Sequence, residues 1–241
     1  MTEKEKFDFS LMIKIFSFLF TTAILVIVST VIVQISGIGN DISSIVNSTD
    51  YMETVIEVYP IHEIEYIAIN MSGEEINAII GASRAFPDKY QEVVDKITTI
   101  TGSVRVTEAI VSSCLSYKVS IAFAMGIVWT ESRFNPHASN NKNGNGTTDW
   151  GLFEINDINI PDDWSNEAKM NIELNTARGV EIIHELIVYY DGNMVLVNAA
   201  YNAGKQGILD GISYDTLRHI NSTLNFEKQV ERNLGTFLLN L

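Results

Sequence analysis

From Ile15 to Val33 the chain carries no charged residue, and this stretch, IFSFLFTTAILVIVSTVIV, limits what the rest of the molecule can be. At a rise of about 1.5 Å per residue, ~20 apolar residues span the hydrocarbon core of a bilayer. A buried core helix of this length would show a polar stripe, whereas here only Ser17, Thr21, Thr22, Ser29 and Thr30 interrupt the run. A cleaved signal peptide has a shorter apolar region ending in an A-x-A-like site, which this segment lacks. The expectation is an uncleaved transmembrane anchor over residues 15–35, behind a tail of residues 1–14. Lys4, Lys6 and Lys14 precede the span and the next basic residue is Arg84, so the tail is expected in the cytoplasm and the remainder outside it, at the cell membrane.

Beyond the anchor the chain divides in two. Residues 36–83 mix short β-branched runs with acidic and turn-forming residues and hold no sustained helical period, which reads as an extracytoplasmic stalk with some strand or short helix. From residue 84 the apolar residues recur at three and four, in DKYQEVVDKITTI, VTEAIVSSCLSYKV and SIAFAMGIVWTES. Past the polar loop ASNNKNGNGTTD the same period returns in NEAKMNIELNTARGVEIIHELIVYY, NMVLVNAAYNAG and FEKQVERNLGTFLLNL. Residues 84–241 are therefore expected to form one mainly α domain with a short β excursion around Trp150 to Ile155. The net charge of −14 argues against a nucleic-acid partner, whose phosphates call for a basic surface. Cys114 is alone and forms no intramolecular disulfide. His137, His184 and His219 show no metal-ligand spacing and His62 lies in the stalk, so neither a metal nor a cofactor is expected.

Glu131 is the acid whose surroundings suggest chemistry. It ends the apolar run IAFAMGIVWT, so Ile127 and Val128 share its helical face, and Phe134 lies just beyond. Apolar neighbours disfavour the charged form of a carboxyl, the condition under which such a group serves as a proton donor to a glycosidic oxygen.

The sequence around it resembles the soluble lytic transglycosylase and goose-type lysozyme families from about Ser103 to Gly204. Glu131-Ser132-Arg133-Phe134-Asn135-Pro136-His137-Ala138 is similar to the E-S-x-F-N-P-x-A signature that carries the catalytic glutamate. Gly151-Leu152-Phe153-Glu154-Ile155 resembles the G-L-x-Q-I segment lining the glycan cleft, Asn175-Thr176-Ala177-Arg178-Gly179 the N-I-x-x-G helix start, and Ala199 to Gly204 reads A-A-Y-N-A-G unchanged. Any one of these could arise by chance; the ordered set is specific. Two positions depart from the pattern: Glu154 stands in place of the glutamine, and Asn140 in place of a serine, with Ser139 one place earlier. A carboxylate at 154 accepts hydrogen bonds and donates none unless protonated, and a second acid near Glu131 would disfavour ionisation of both.

The resemblance implies an α+β lysozyme-like fold and cleavage of the bond between N-acetylmuramic acid and N-acetylglucosamine in peptidoglycan. Glu131 would protonate the leaving oxygen, the substrate's acetamido group would stabilise the oxocarbenium-like centre, and the same carboxylate would then take the proton of the muramyl C6 hydroxyl, giving a 1,6-anhydro product. Ser132, Ser139, Asn140, Trp150, Gly151, Phe153, Glu154, Tyr201 and Asn202 are the implied substrate-binding residues, with Tyr201 on the cleft floor steering Glu131 or the acetamide. Two alternatives stand beside this. A muramidase would use a second carboxylate, from Asp149, Glu154 or Asp157, to activate water. A non-catalytic domain would bind glycan strands as the scaffold of an envelope-spanning machine, although such a module has no need of an acid in the position of Glu131.

Overall fold

The structure, a computed structural model, describes residues 71–241. The expected tail, the expected membrane span and residues 36–70 of the expected stalk lie outside the described residues. Among the described residues no helix is long and apolar enough to cross a membrane.

Eight helices and a small sheet make up this part. Helix α1 (Gly73–Ser83) starts at a capping box, the Ser72 hydroxyl accepting from Glu75 N–H while the Glu75 carboxylate accepts from Ser72 N–H. Helix α2 (Pro87–Thr101) has proline at its first position, where the missing N–H costs nothing. Ser103 caps α3 (Val104–Tyr117) and Ser120 caps α4 (Ile121–Glu131). The expected boundary at residues 83 and 84 falls at the end of α1, and that helix packs onto α2, α4 and the last helix with Ile76 and Ile80 fully buried.

Helix α4 is apolar all round, and every residue from Ile121 to Val128 is buried, as befits a helix enclosed by neighbours instead of lying at the surface. It is packed by α1, α3 and the last helix. After it come three two-residue strands, β1 (Ser139–Asn140), β2 (Asp149–Trp150) and β3 (Ile155–Asn156), antiparallel in the order β1-β2-β3. This is the β excursion expected near Trp150, extended back to Ser139. A short helix α5 (Asn166–Lys169) leads to α6 (Ile172–Tyr189), α7 (Met194–Leu209) and α8 (Tyr214–Leu238). Helix α7 is broken at Gly204, whose φ of 72° and ψ of 164° are not helical.

The contact that sets the active region is α4 against α8. Gly126 makes it close: a Cβ there would stand 2.7 Å from the Thr223 carbonyl oxygen and 3.1 Å from its methyl. Polar groups then lock the pair, Thr130 Oγ1 donating to Ser222 Oγ at 3.2 Å and Thr223 Oγ1 donating to Thr130 Oγ1 at 3.1 Å. The mainly α expectation thus holds, with the site at the end of its most buried helix.

Candidate active site

Glu131 is the last residue of α4, and its side chain is 16% exposed. The two residues after Ser132, Arg133 and Phe134, take φ values of 55° and 61°. Such left-handed backbone costs a residue with a side chain about 1–2 kcal/mol, and burial of Phe134 against Trp129 and Phe226 offsets it. The sharp turn ends the helix at Glu131.

Opposite lies the segment Trp150 to Glu154, whose carbonyls are pinned by side chains from three helical regions. Asn175 on α6, fully buried, donates through Nδ2 to the Trp150 carbonyl at 2.8 Å and accepts from Phe153 N–H at 2.9 Å. Ser132 Oγ donates to the Leu152 carbonyl at 2.6 Å, and Tyr201 Oη on α7 donates to the Phe153 carbonyl at 2.8 Å. Buried carbonyls require donors, so these three side chains explain why the separated motifs occur together. Gly151 fits the same logic: its φ of 74° is left-handed, and a Cβ would sit 2.5 Å from Asn175 Nδ2.

The expected substrate-binding residues divide by exposure. Ser132, Gly151 and Phe153 are buried and hold the segment in place. Tyr201 is half-buried with its hydroxyl committed to Phe153, and Asn202 is exposed on α7. Ser139 is exposed opposite Trp150 in the sheet. Trp150 is half-buried, its Nε1 donating to Asp157 at 2.8 Å and the Lys169 ammonium lying 5.0 Å from its ring centroid.

The pinned segment delivers Glu154, at φ 42°, beside Glu131. Burial pushes the Glu154 carboxyl up to about 7, and the charges of Glu131 and Asp149 add to this. Tyr201 feels the same group of acids: burial, then Glu131, Glu154 and Asp149, push its hydroxyl well above the ordinary tyrosine value. Glu131, Asp149, Glu154 and Tyr201 therefore share one site. Asp149 is the hub of the Asn-rich loop, accepting from Asn156 at 2.6 Å, Asn143 at 3.0 Å and Asn140 at 3.2 Å. The sheet register sets Asn140, Asp149 and Asn156 side by side. Asp157 accepts from Lys169, Trp150 and Thr148, and these bonds, Lys169 foremost, hold it below the usual carboxylate range.

One residue that sequence reasoning set aside completes the site. His219 on α8 is 8% exposed, with Nε2 3.0 Å from Glu131 Oε1 and Nδ1 3.0 Å from Asn198 Oδ1 on α7. The available signal was the stripe Thr216, His219 and Thr223, polar residues at helical spacing on the same side as Ile220 of an amphipathic helix. Among the described residues no cluster of histidine, cysteine and acidic side chains is arranged to hold a metal.

Residues 109–223 match the transglycosylase SLT domain family. Among solved structures, an inactive mutant of the lytic transglycosylase Slt from Pseudomonas aeruginosa is similar over 77% of this chain and 33% of that one, at 17% identity and a TM-score of 0.37. The present chain thus spans a third of that protein's length. No curated protein matches it.

Proposed function

We propose, from the match of residues 109–223 to the transglycosylase SLT domain family, that the chain is a peptidoglycan lytic transglycosylase with Glu131 as acid and then base. The observation that carries the reading is Glu131 itself, a carboxyl at the end of a wholly apolar helix, largely buried, and facing a segment that other motif residues hold rigid. In the proposed reaction its proton passes to the oxygen between N-acetylmuramic acid and N-acetylglucosamine, and the substrate's acetamido oxygen supports the electron-poor C1. The ionised carboxylate then accepts the proton of the muramyl C6 hydroxyl, whose oxygen closes on C1. Each transfer contributes about 10²–10⁴-fold.

The state of the other acids favours ring closure over hydrolysis. A muramidase needs a second, ionised carboxylate free to activate water. Asp149 is occupied by three amide donors, Asp157 by Lys169, Trp150 and Thr148, and Glu154 is held towards its protonated form by burial and by Glu131. Trp150, Asn140 and Ser139, along the hairpin, are the proposed glycan contacts, and Glu154 is proposed to donate to substrate when protonated. The apolar run 15–33 and the lysines before it support a single-pass anchor with this domain on the outer side of the membrane, where a tethered wall-cutting task within an envelope machine would suit it.

The test is to incubate the full chain and its Glu131→Gln variant with peptidoglycan and weigh the released muropeptides. Anhydro products from the wild type alone are expected. Reducing-end products would replace the reading with a muramidase, and glycan binding without release from either protein would replace it with a scaffold.

A further inference from the structure

A carboxyl at the C-terminal end of a helix sits at the negative end of the helix dipole and calls for a partner. In this site the partner is His219, and the geometry specifies more than proximity. Its Nδ1 lies 3.0 Å from Asn198 Oδ1, whose amide Nδ2 is buried with no hydrogen-bond partner, and with that oxygen as acceptor Nδ1 carries the hydrogen. In a neutral imidazole Nε2 is then bare, 3.0 Å from Glu131 Oε1. Two bare acceptors do not bond. The contact therefore exists as Oε1–H donating to Nε2, or as Nε2–H of an imidazolium donating to the carboxylate, and either way it contains one proton.

We propose that His219 is the positioning residue of Glu131, holding its carboxyl against α8 and sharing its proton, with Asn198 fixing the tautomer. The proposal rests on the transglycosylase reading for its kinetic consequence and on the bond pattern alone for the pairing. After the proton has gone to the leaving oxygen, neutral His219 presents a lone pair to the Glu131 carboxylate. That repulsion is relieved when the proton of the C6 hydroxyl arrives, so the pair ends the cycle with the one proton it began with. His219 contacts neither the leaving oxygen nor C1 in this proposal; it acts on them through Glu131.

The placement is rigid. Ser222 and Thr223, one turn beyond His219 on α8, bond Thr130, the residue before Glu131, while Gly126 admits the Thr223 carbonyl a turn earlier on α4. The titratable neighbours are Glu154 and Asp149 from the hairpin and Tyr201 from α7, whose acids act on one another through this site. Arg218, beside His219 on α8, is exposed and turned to Asp215 at 3.9 Å. Glu227 and Glu231 lie about 12 Å or more further along α8, Glu231 beside the start of α1 at Gly73.

Two measurements on the full chain in detergent micelles test this. In the first, nitrogen chemical shifts of isotopically labelled histidine are followed against pH, His219 being assigned in a variant whose other three imidazoles, His62, His137 and His184, are replaced by glutamine. A protonated Nδ1 through the neutral range is expected. In the second, His219→Gln keeps an amide donor near Oε1 but cannot take up a proton. We expect kcat to fall by about 10²-fold with KM little changed, and the pH profile of kcat to differ in shape from that of the wild type. A bare Nδ1 in the first measurement overturns the proposal, as does a His219→Gln pH profile that superimposes on the wild type in the second. Should the wild type release no anhydro product, the functional reading falls, and the nitrogen shifts still decide the pairing.

Discussion

Glu154 shows how one side chain alters the electrostatics of a site. Its carboxyl is raised to about 7 from an ordinary 4.5, first by burial and then by the charges of Glu131 and Asp149. Because the folded state prefers the protonated form, the contribution of Glu154 to stability is fully present below pH 4.5 and is lost as pH rises through about 7. Above that value its charge and a charge on Glu131 repel one another across the site. Glu154→Gln removes the repulsion, so the pH optimum for muropeptide release is expected to move to lower pH. Melting temperatures should also fall less between pH 5 and 8 than in the wild type. An unmoved optimum would mean that the two carboxyls do not communicate. Ser132 illustrates the opposite case, a motif residue beside the acid that binds backbone instead of substrate, its hydroxyl closing onto the Leu152 carbonyl.

Between helices, the determining contact is the approach of α8 to α4 over Gly126. Adding one methyl places a carbon 2.7 Å from the Thr223 carbonyl oxygen, which belongs to backbone and cannot rotate away. Gly126→Ala is expected to cost about 1–3 kcal/mol in stability, as overpacking of a tight contact does. Because α8 also carries His219, the same shift should lengthen the bond to Glu131 and lower kcat more than the loss of folded protein explains. Urea unfolding and activity assayed well below the unfolding midpoint separate the two effects. The three two-residue strands act at this scale as well, since their register gathers Asn140, Asp149 and Asn156 into a hydrogen-bonded hub that holds the loop opposite Glu131.

For the whole domain, the position of α1 sets where it must begin. Ile76 and Ile80 are fully buried in the common core, and each such burial contributes roughly 1.5–3 kcal/mol. A fragment of residues 84–241 should therefore be less stable than one of residues 71–241 by about 3–6 kcal/mol, checked by chemical denaturation; equal midpoints would mean that α1 is dispensable. Its helical period was hard to read because four turn-forming or acidic residues, Ser72, Gly73, Glu74 and Glu75, precede Ile76 and the run is only three turns long. The longer amphipathic helices, the excursion at Trp150, the acid at Glu131 and the second acid at Glu154 were all legible, since each depends on local spacing or on a contiguous motif. The apolar run at residues 15–33 is likewise a local signal, and it lies outside the described residues. His219 was not legible: it stands 88 positions from Glu131 and no short-range pattern links the two. Nor could spacing tell which motif residues face a glycan and which pin carbonyls. The sequence by itself thus determined the helical character, the family pattern and the candidate acid, because periodicity and motif chemistry are written along the chain. Only the tertiary structure decided the partner of that acid, the burial of Ser132 and Phe153 and the raised carboxyl of Glu154, because hydrogen bonding, desolvation and charge act through space between residues that the fold brings together.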